Sequence, residues 1–196
     1  SLVFEGSTMH PDSPSSSPDV TGDVVRALVL YSVAEFQGGY AKTIHVDAHG
    51  RTFRVGDDGR GHAIERTVDG APYLQFVYTH LAYPFAQTQG APIQLHAIGI
   101  SLANTLCAEL SVTARKRNAT LRITFENGRR VNEELINVAS NETGNTISGS
   151  INPTLQCADV DAQVLEIWLR RVLAVSAGLR IVFNGAELQT SADQGV

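Results

Sequence analysis

The chain has 196 residues, 43% hydrophobic and 18% charged, with a formal net charge of −5. That length and balance suit one globular domain with its own core. No apolar run approaches the roughly 20 residues that cross a bilayer, and the negative charge excludes a broad basic surface, so neither membrane insertion nor direct nucleic-acid binding is predicted. The opening SLVFEGS lacks the charged start and apolar centre of a secretory signal, which makes the cytoplasm the expected compartment.

Residues 1–20 include HPDSPSSSPDV, rich in proline and serine with little to bury, and read as a flexible N-terminal arm. One domain is expected over 21–196. It begins with a helix in which Val24, Val25, Leu28, Tyr31 and Val33 recur near helical spacing, capped by Thr21 or Asp23 and stopped by Gly38-Gly39. KTIHVDA and RTFRVG alternate apolar and polar residues around His49-Gly50, the pattern of a hairpin with one buried face. After the loop DDGRG, PYLQFVYTHLA predicts a helix from Pro72, residues 83–95 a long surface loop, and HAIGISLANTLC a second helix over 96–107.

ELSVTARKR, ATLRITFENG and RRVNEELINVA then read as consecutive antiparallel strands, with Asn127-Gly128 turning one hairpin. DVDAQVLEIWLRRVLAVSAG is an amphipathic helix presenting Val164, Leu165, Trp168, Leu169, Val172 and Leu173, closed by Gly178 and followed by the strand LRIVFNG. This order predicts an α+β fold: a two-layer sandwich with helices packed on one face of a mostly antiparallel sheet. Cys107 and Cys157 lie in apolar segments without CxxC spacing and are expected to be buried thiols. His45 and His49 share one strand face but have no third ligand in view, so no metal site is predicted. No GxxxxGK[ST], GxSxG or HExxH motif occurs.

DDGRG at 57–61, placed after a helix and hairpin and before two helices, resembles the ATP-binding domain in the B subunits of DNA gyrase and topoisomerase IV, in the GHKL superfamily with its Bergerat-type sandwich. The resemblance covers about residues 21–185 and extends to STMHPDS, where the family has a short nucleotide-touching motif. It implies that Asp57 takes an adenine amino group, a pure acceptor meeting a pure donor. Gly59 and Gly61 would let the base lie close to backbone, and Arg60 at the pocket edge would pair with Glu35. Thr146 is the nearest match to a threonine that assists adenine recognition, and Arg115 or Lys116 matches an arginine at the pocket mouth. A tight surface turn and a solvated strand end are the plain alternatives for DDGRG and for ARKRN.

The same resemblance exposes departures. Where the family has a glutamate that activates water and an asparagine that binds magnesium, this chain has Ala27 and Tyr31, and neither side chain suits those roles. The lid sequence IQLHAIG keeps Leu95, His96 and Gly99 of the family's GGLHGVG but replaces three glycines with Ile93, Gln94 and Ala97, whose Cβ atoms restrict the backbone approach to phosphate. His96 is read as a structural or phosphate-side residue.

The expectation is therefore a pseudo-ATPase that binds a small molecule, such as ATP or ADP without magnesium, with Tyr31 closing the former phosphate space. The competing expectations are a working topoisomerase-type ATPase with displaced catalytic residues, and an inert module that forms a homodimer or joins a gyrase-like partner through its N-terminal arm.

Overall fold

The first helix, α1 (Val20–Gln37), begins where the Asp19 carboxylate accepts a 2.7 Å hydrogen bond from the Gly22 N–H. That cap lies upstream of Thr21 and Asp23, the residues expected to supply it, and satisfies an otherwise unpaired first-turn donor. Pro18 and Asp19 also belong to the fold and not to a free arm: the Pro18 carbonyl accepts from the Ala158 N–H and Asp19 Oδ2 from the Asp161 N–H. The computed structural model describes residues 17–64, 67–68, 70–72, 75, 78, 100–137 and 141–190.

Strands β1 (Thr43–His49) and β2 (Thr52–Asp57) form the expected hairpin, with Gly50 in the left-handed region at the turn. Two short strands, β3 (Thr67–Val68) and β4 (Ala71–Pro72), pair with each other. Pro72 is thus in a strand where a helix start was expected. Its fixed φ suits either setting, and the local pattern does not decide between them. Gln75 and Tyr78 are helical, whereas the rest of PYLQFVYTHLA beyond Pro72 and the loop at 83–95 lie outside the described residues. Helix α2 (Ile100–Leu106) is followed without a break by β5 (Cys107–Arg115), then β6 (Thr120–Glu126), β7 (Arg129–Ile136) and β8 (Gly144–Ile151). Helix α3 (Ala162–Ala174), strand β9 (Arg180–Phe183) and strand β10 (Ala186–Glu187) complete the chain order.

Eight strands make one sheet in the order β10-β9-β1-β2-β8-β5-β6-β7, antiparallel throughout except for the β1–β9 pair. Alternate residues of the well-patterned strands turn toward the helices: Ile44 and Val46 of β1, Phe53 and Val55 of β2, Val112 and Ala114 of β5, and Ile181 of β9 are all buried, whereas β7 at the sheet edge is exposed along nearly its whole length. This inner face, capped by α1, α2 and α3, holds the core together with Val24, Val25, Leu28 and Val29 from α1. The result is the α+β sandwich expected from the element order. Cys107 and Cys157 are both buried free thiols, and burial pushes the Cys107 thiol up to about 12.

Helix α3 differs from its pattern at one position. Leu165, Leu169, Val172 and Leu173 are buried and Trp168 is partly so, but Val164 is exposed with Ile167, because the buried stripe is narrower than the apolar stripe of the sequence. Among the described residues no helix is long and apolar enough to cross a membrane.

Candidate functional site

Asp57 is the last residue of β2 and points inward, under α1. The residue is 4% exposed, yet its carboxylate is hydrogen-bonded on both oxygens. Ser32 Oγ on α1 donates to Oδ2 at 2.7 Å, and the Gly59 and Asn145 N–H groups donate to Oδ1 at 2.9 and 3.4 Å. Burial raises the Asp57 carboxyl above its ordinary range, and these three donors oppose that rise. A carboxylate has about four acceptor sites, so three donors leave room for one more, on Oδ2.

The turn after β2 is held from several sides. Asp58 turns away and accepts from the Lys42 and Thr43 N–H groups at 2.7 and 3.0 Å. Arg60 reaches Glu35 with Nη2 to Oε1 at 2.8 Å and Nε to Oε2 at 3.2 Å, its own N–H adds a 3.1 Å bond to Oε2, and its guanidinium lies 3.7 Å over the Tyr40 ring. Burial alone would raise the Glu35 carboxyl, but the hydrogen bonds and charge of Arg60 outweigh it and hold the group below its usual range. Gly61, with φ +74°, lies so close to β5 that a Cβ would sit 2.6 Å from the Arg115 carbonyl. Gly59 lies between Glu35 and Asp57. Both glycines admit close approach of the chain's own groups, in addition to any ligand that the sequence led one to expect there.

Beyond Arg60 lies a buried polar chain that sequence reasoning missed. The Tyr31 hydroxyl is 3.0 Å from His62 Nδ1, and the Tyr78 hydroxyl is 3.2 Å from Nε2, with His62 and Tyr78 buried. A neutral imidazole carries one donor and one acceptor nitrogen, so one tyrosine accepts and the other donates. Burial depresses His62 to about 4, and Tyr78 is raised well above its ordinary value, again chiefly by burial. The His62 backbone N–H donates to Asn145 Oδ1 at 2.9 Å, which ties this chain to Asp57 through β8. Ala27 is buried in the core, one helical turn before Tyr31.

Strand parity separates residues that the sequence had grouped. Gly56 pairs with Thr146, so Thr146 faces outward with Gly56, and the β8 residue beside Asp57 is Asn145. The Thr146 hydroxyl accepts from Arg115 Nη1 at 2.7 Å on the outer face. Thr146 is thus corrected to Asn145 as the β8 side chain nearest the Asp57 site, a one-residue shift that changes the face. Arg115 and Lys116, offered as alternatives for one position, also part. Lys116 Nζ donates to the Arg60 and Gly61 carbonyls at 3.0 Å each, at a cavity of about 340 Å³ that Tyr40, Gly59 and Arg117 also line, whereas Arg115 belongs to the outer face. Leu95, His96 and Gly99 lie outside the described residues.

Ser32, His62 and Asn145 carried only faint signals. Ser32 is a polar residue amid the apolar spacing of α1, His62 directly follows the DDGRG loop, and Asn145 neighbours Thr146, which matches the family's threonine by residue type.

No protein-family model matches the chain. It is 33% identical over 110 residues to the B subunit of DNA topoisomerase 4 from Salmonella typhimurium, covering 52% of this chain and 17% of that protein. It is 27% identical over 190 residues to the DNA gyrase B subunit of Micrococcus luteus, covering 90% of this chain and 26% of the relative. With the DNA gyrase B subunit of Thermotoga maritima the identity is 26% over 183 residues, 88% of this chain and 29% of the relative. The chain thus spans less than a third of the length of these relatives. A helix laid over an antiparallel hairpin, a buried aspartate opening DDGRG and likeness to gyrase B subunits across most of the chain together make this a gyrase-B-like domain.

Proposed function

We propose that this domain is a cytoplasmic, non-hydrolysing ligand-binding or regulatory module built on an ATPase-type fold. The observation that carries the reading is the state of α1. Its two carboxylates, Asp23 and Glu35, are paired with Arg26 and Arg60, and the two positions where the family resemblance implies catalysis hold the methyl of Ala27 and the phenol of Tyr31. An alkyl group cannot take a proton from water, and a phenol with a pKa near 10 is a poor ligand for a hard divalent cation. Hydrolysis on the family plan therefore lacks both its base and its metal ligand.

Recognition of an amine-bearing ring is better supported. Asp57 retains one acceptor site on Oδ2 in a largely desolvated setting, where a hydrogen bond to an ionised group contributes about 1.5–3 kcal/mol. The ligand class is accordingly adenosine or ADP, bound without magnesium.

Calorimetric titration with adenosine and ADP, with and without magnesium, tests this. The expected result is binding of equal strength in both conditions, weakened about tenfold or more by Asp57→Asn. Magnesium-dependent phosphate release abolished by Asp57→Asn would overturn the reading in favour of a working ATPase, and no heat with either compound would leave the fold as an inert partner.

A further inference from the structure

We infer that the outer face of the sheet carries a second site, for a small anion bearing phosphate or carboxylate groups, on the opposite side of the sheet from the Asp57 carboxylate. The sheet opens there into a cavity of about 660 Å³, within the usual range for small-molecule sites. Its floor is Gly56, whose register partners on either side are His45 of β1 and Thr146 of β8. Glycine at the centre of three adjacent strands leaves a notch between two side chains that stand up from the sheet.

Arginines ring this notch. Arg54 precedes Gly56 by two residues, on the same exposed face, and has no hydrogen-bond or ion-pair partner among the described residues. Arg115 is held in place by neutral acceptors, the Thr146 hydroxyl at 2.7 Å and the Asp57 carbonyl at 3.4 Å, so its position is set while its charge has no contacting counter-ion among the described residues. Arg180 also lines the cavity, but Glu187 takes two of its N–H groups. Three acidic residues line the same space, Asp57 with its carboxylate turned to the other face of the sheet. Asp58 is turned to the Lys42 and Thr43 N–H groups, which offset its charge, and Glu142 stands on the β7–β8 connection.

Two guanidiniums with no contacting carboxylate among the described residues, beside hydroxyls and a histidine, form a donor-rich set. A guanidinium presents paired N–H groups at the spacing of carboxylate or phosphate oxygens, and this is the geometry it recognises best. Val182 is the one aliphatic side chain among the described lining residues, so the occupant is a polar anion and not an apolar ring. Asp57 also lines this cavity and its backbone carbonyl accepts from Arg115, but strand parity turns its carboxylate away, to Ser32 on the opposite face.

The test is an amide NMR titration of the whole chain with inorganic phosphate and, in a separate arm, with citrate, each against sodium chloride at matched ionic strength. Saturable shifts at His45, Gly56 and Thr146 are expected in at least one arm, and the arm that saturates identifies phosphate or carboxylate chemistry. Arg54→Gln, on an exposed side chain whose loss leaves the fold intact, should weaken that binding about tenfold, the effect of losing a charge-assisted pair. Shifts that rise linearly as with chloride, or an affinity unchanged in Arg54→Gln, would overturn the inference. Ser32 and His62 resonances should stay in place in either arm, which separates this result from ligand binding at Asp57.

Discussion

The two faces of the β2–β8 ladder differ more than their one-residue separation suggests. Inward, Asp57 and Asn145 sit in a nearly dry environment where the described polar groups meet protein partners: Ser32, Gly59 and His62 close around them. Outward, Gly56 and the half-buried Thr146 line a cavity edged by arginines. Burial makes the inner groups sensitive to any lost partner, because an unpaired buried polar atom has no water to fall back on. The outer groups exchange one partner for solvent at small cost. Sensitivity to substitution should therefore split by face, and the split can be broken or sharpened by three measurements.

The largest effect is expected at the seam between the faces. Gly144 opens β8 with φ +123°, and a Cβ there would collide with the Asp57 carbonyl oxygen. Gly144→Ala combines a backbone conformation that L-residues avoid with a clash against main chain, and should cost more than about 3 kcal/mol in urea denaturation. A loss below about 1 kcal/mol would mean that the two strands can part here, and the inner face would then be less rigid than its hydrogen bonds indicate.

Next comes the pH dependence of the inner face. His62 titrates near 4 in the folded chain and near 6.5 when unfolded, so the unfolded state takes up the proton first as pH falls. The stability that a neutral His62 contributes is complete above about pH 6.5 and is lost progressively toward pH 4, by about 1.4 kcal/mol per pH unit and about 3 kcal/mol in all. Denaturation curves across that window should show the slope in the native chain and a flatter profile in His62→Leu.

The smallest effect gives the sharpest discrimination between neighbours. Thr146→Ala removes one hydrogen bond to a partly solvated arginine and should cost about 0.5–1 kcal/mol, without altering adenosine binding. Asn145→Ala strips the acceptor from the buried His62 N–H, should cost about 1–3 kcal/mol, and should weaken any ligand held at Asp57. The opposite order would place the functional face of β8 on the wrong side.

Much of the architecture was legible without coordinates, for reasons that vary by element. The β1–β2 hairpin could be read because period-2 alternation and a left-handed glycine turn are both local signals. So could α1 and α3, whose apolar spacing follows the helical period. Strand β8 was harder: in GNTISGSI small and polar residues blur the alternation, and its burial does not alternate cleanly. Thr146 matches the family's threonine by residue type, and without a clear period nothing in the strand shows that its neighbour Asn145 is the inward residue. Pro72 misled for a related reason, as a proline that starts a helix and one that ends a short strand share the same φ.

The residue order by itself determined the type of the strongly periodic elements, the inward side of the well-patterned strands, and the chemistry missing from α1: Ala27 has no proton acceptor in any fold. Only the tertiary structure decided which groups meet. The contacts of Ser32 with Asp57, of Tyr31 and Tyr78 with His62, and of Arg115 with Thr146 join residues 16 to 31 positions apart, and they depend on strand register and helix rotation. Local propensity carries no record of those two quantities, because they are set by packing the whole inner face at once.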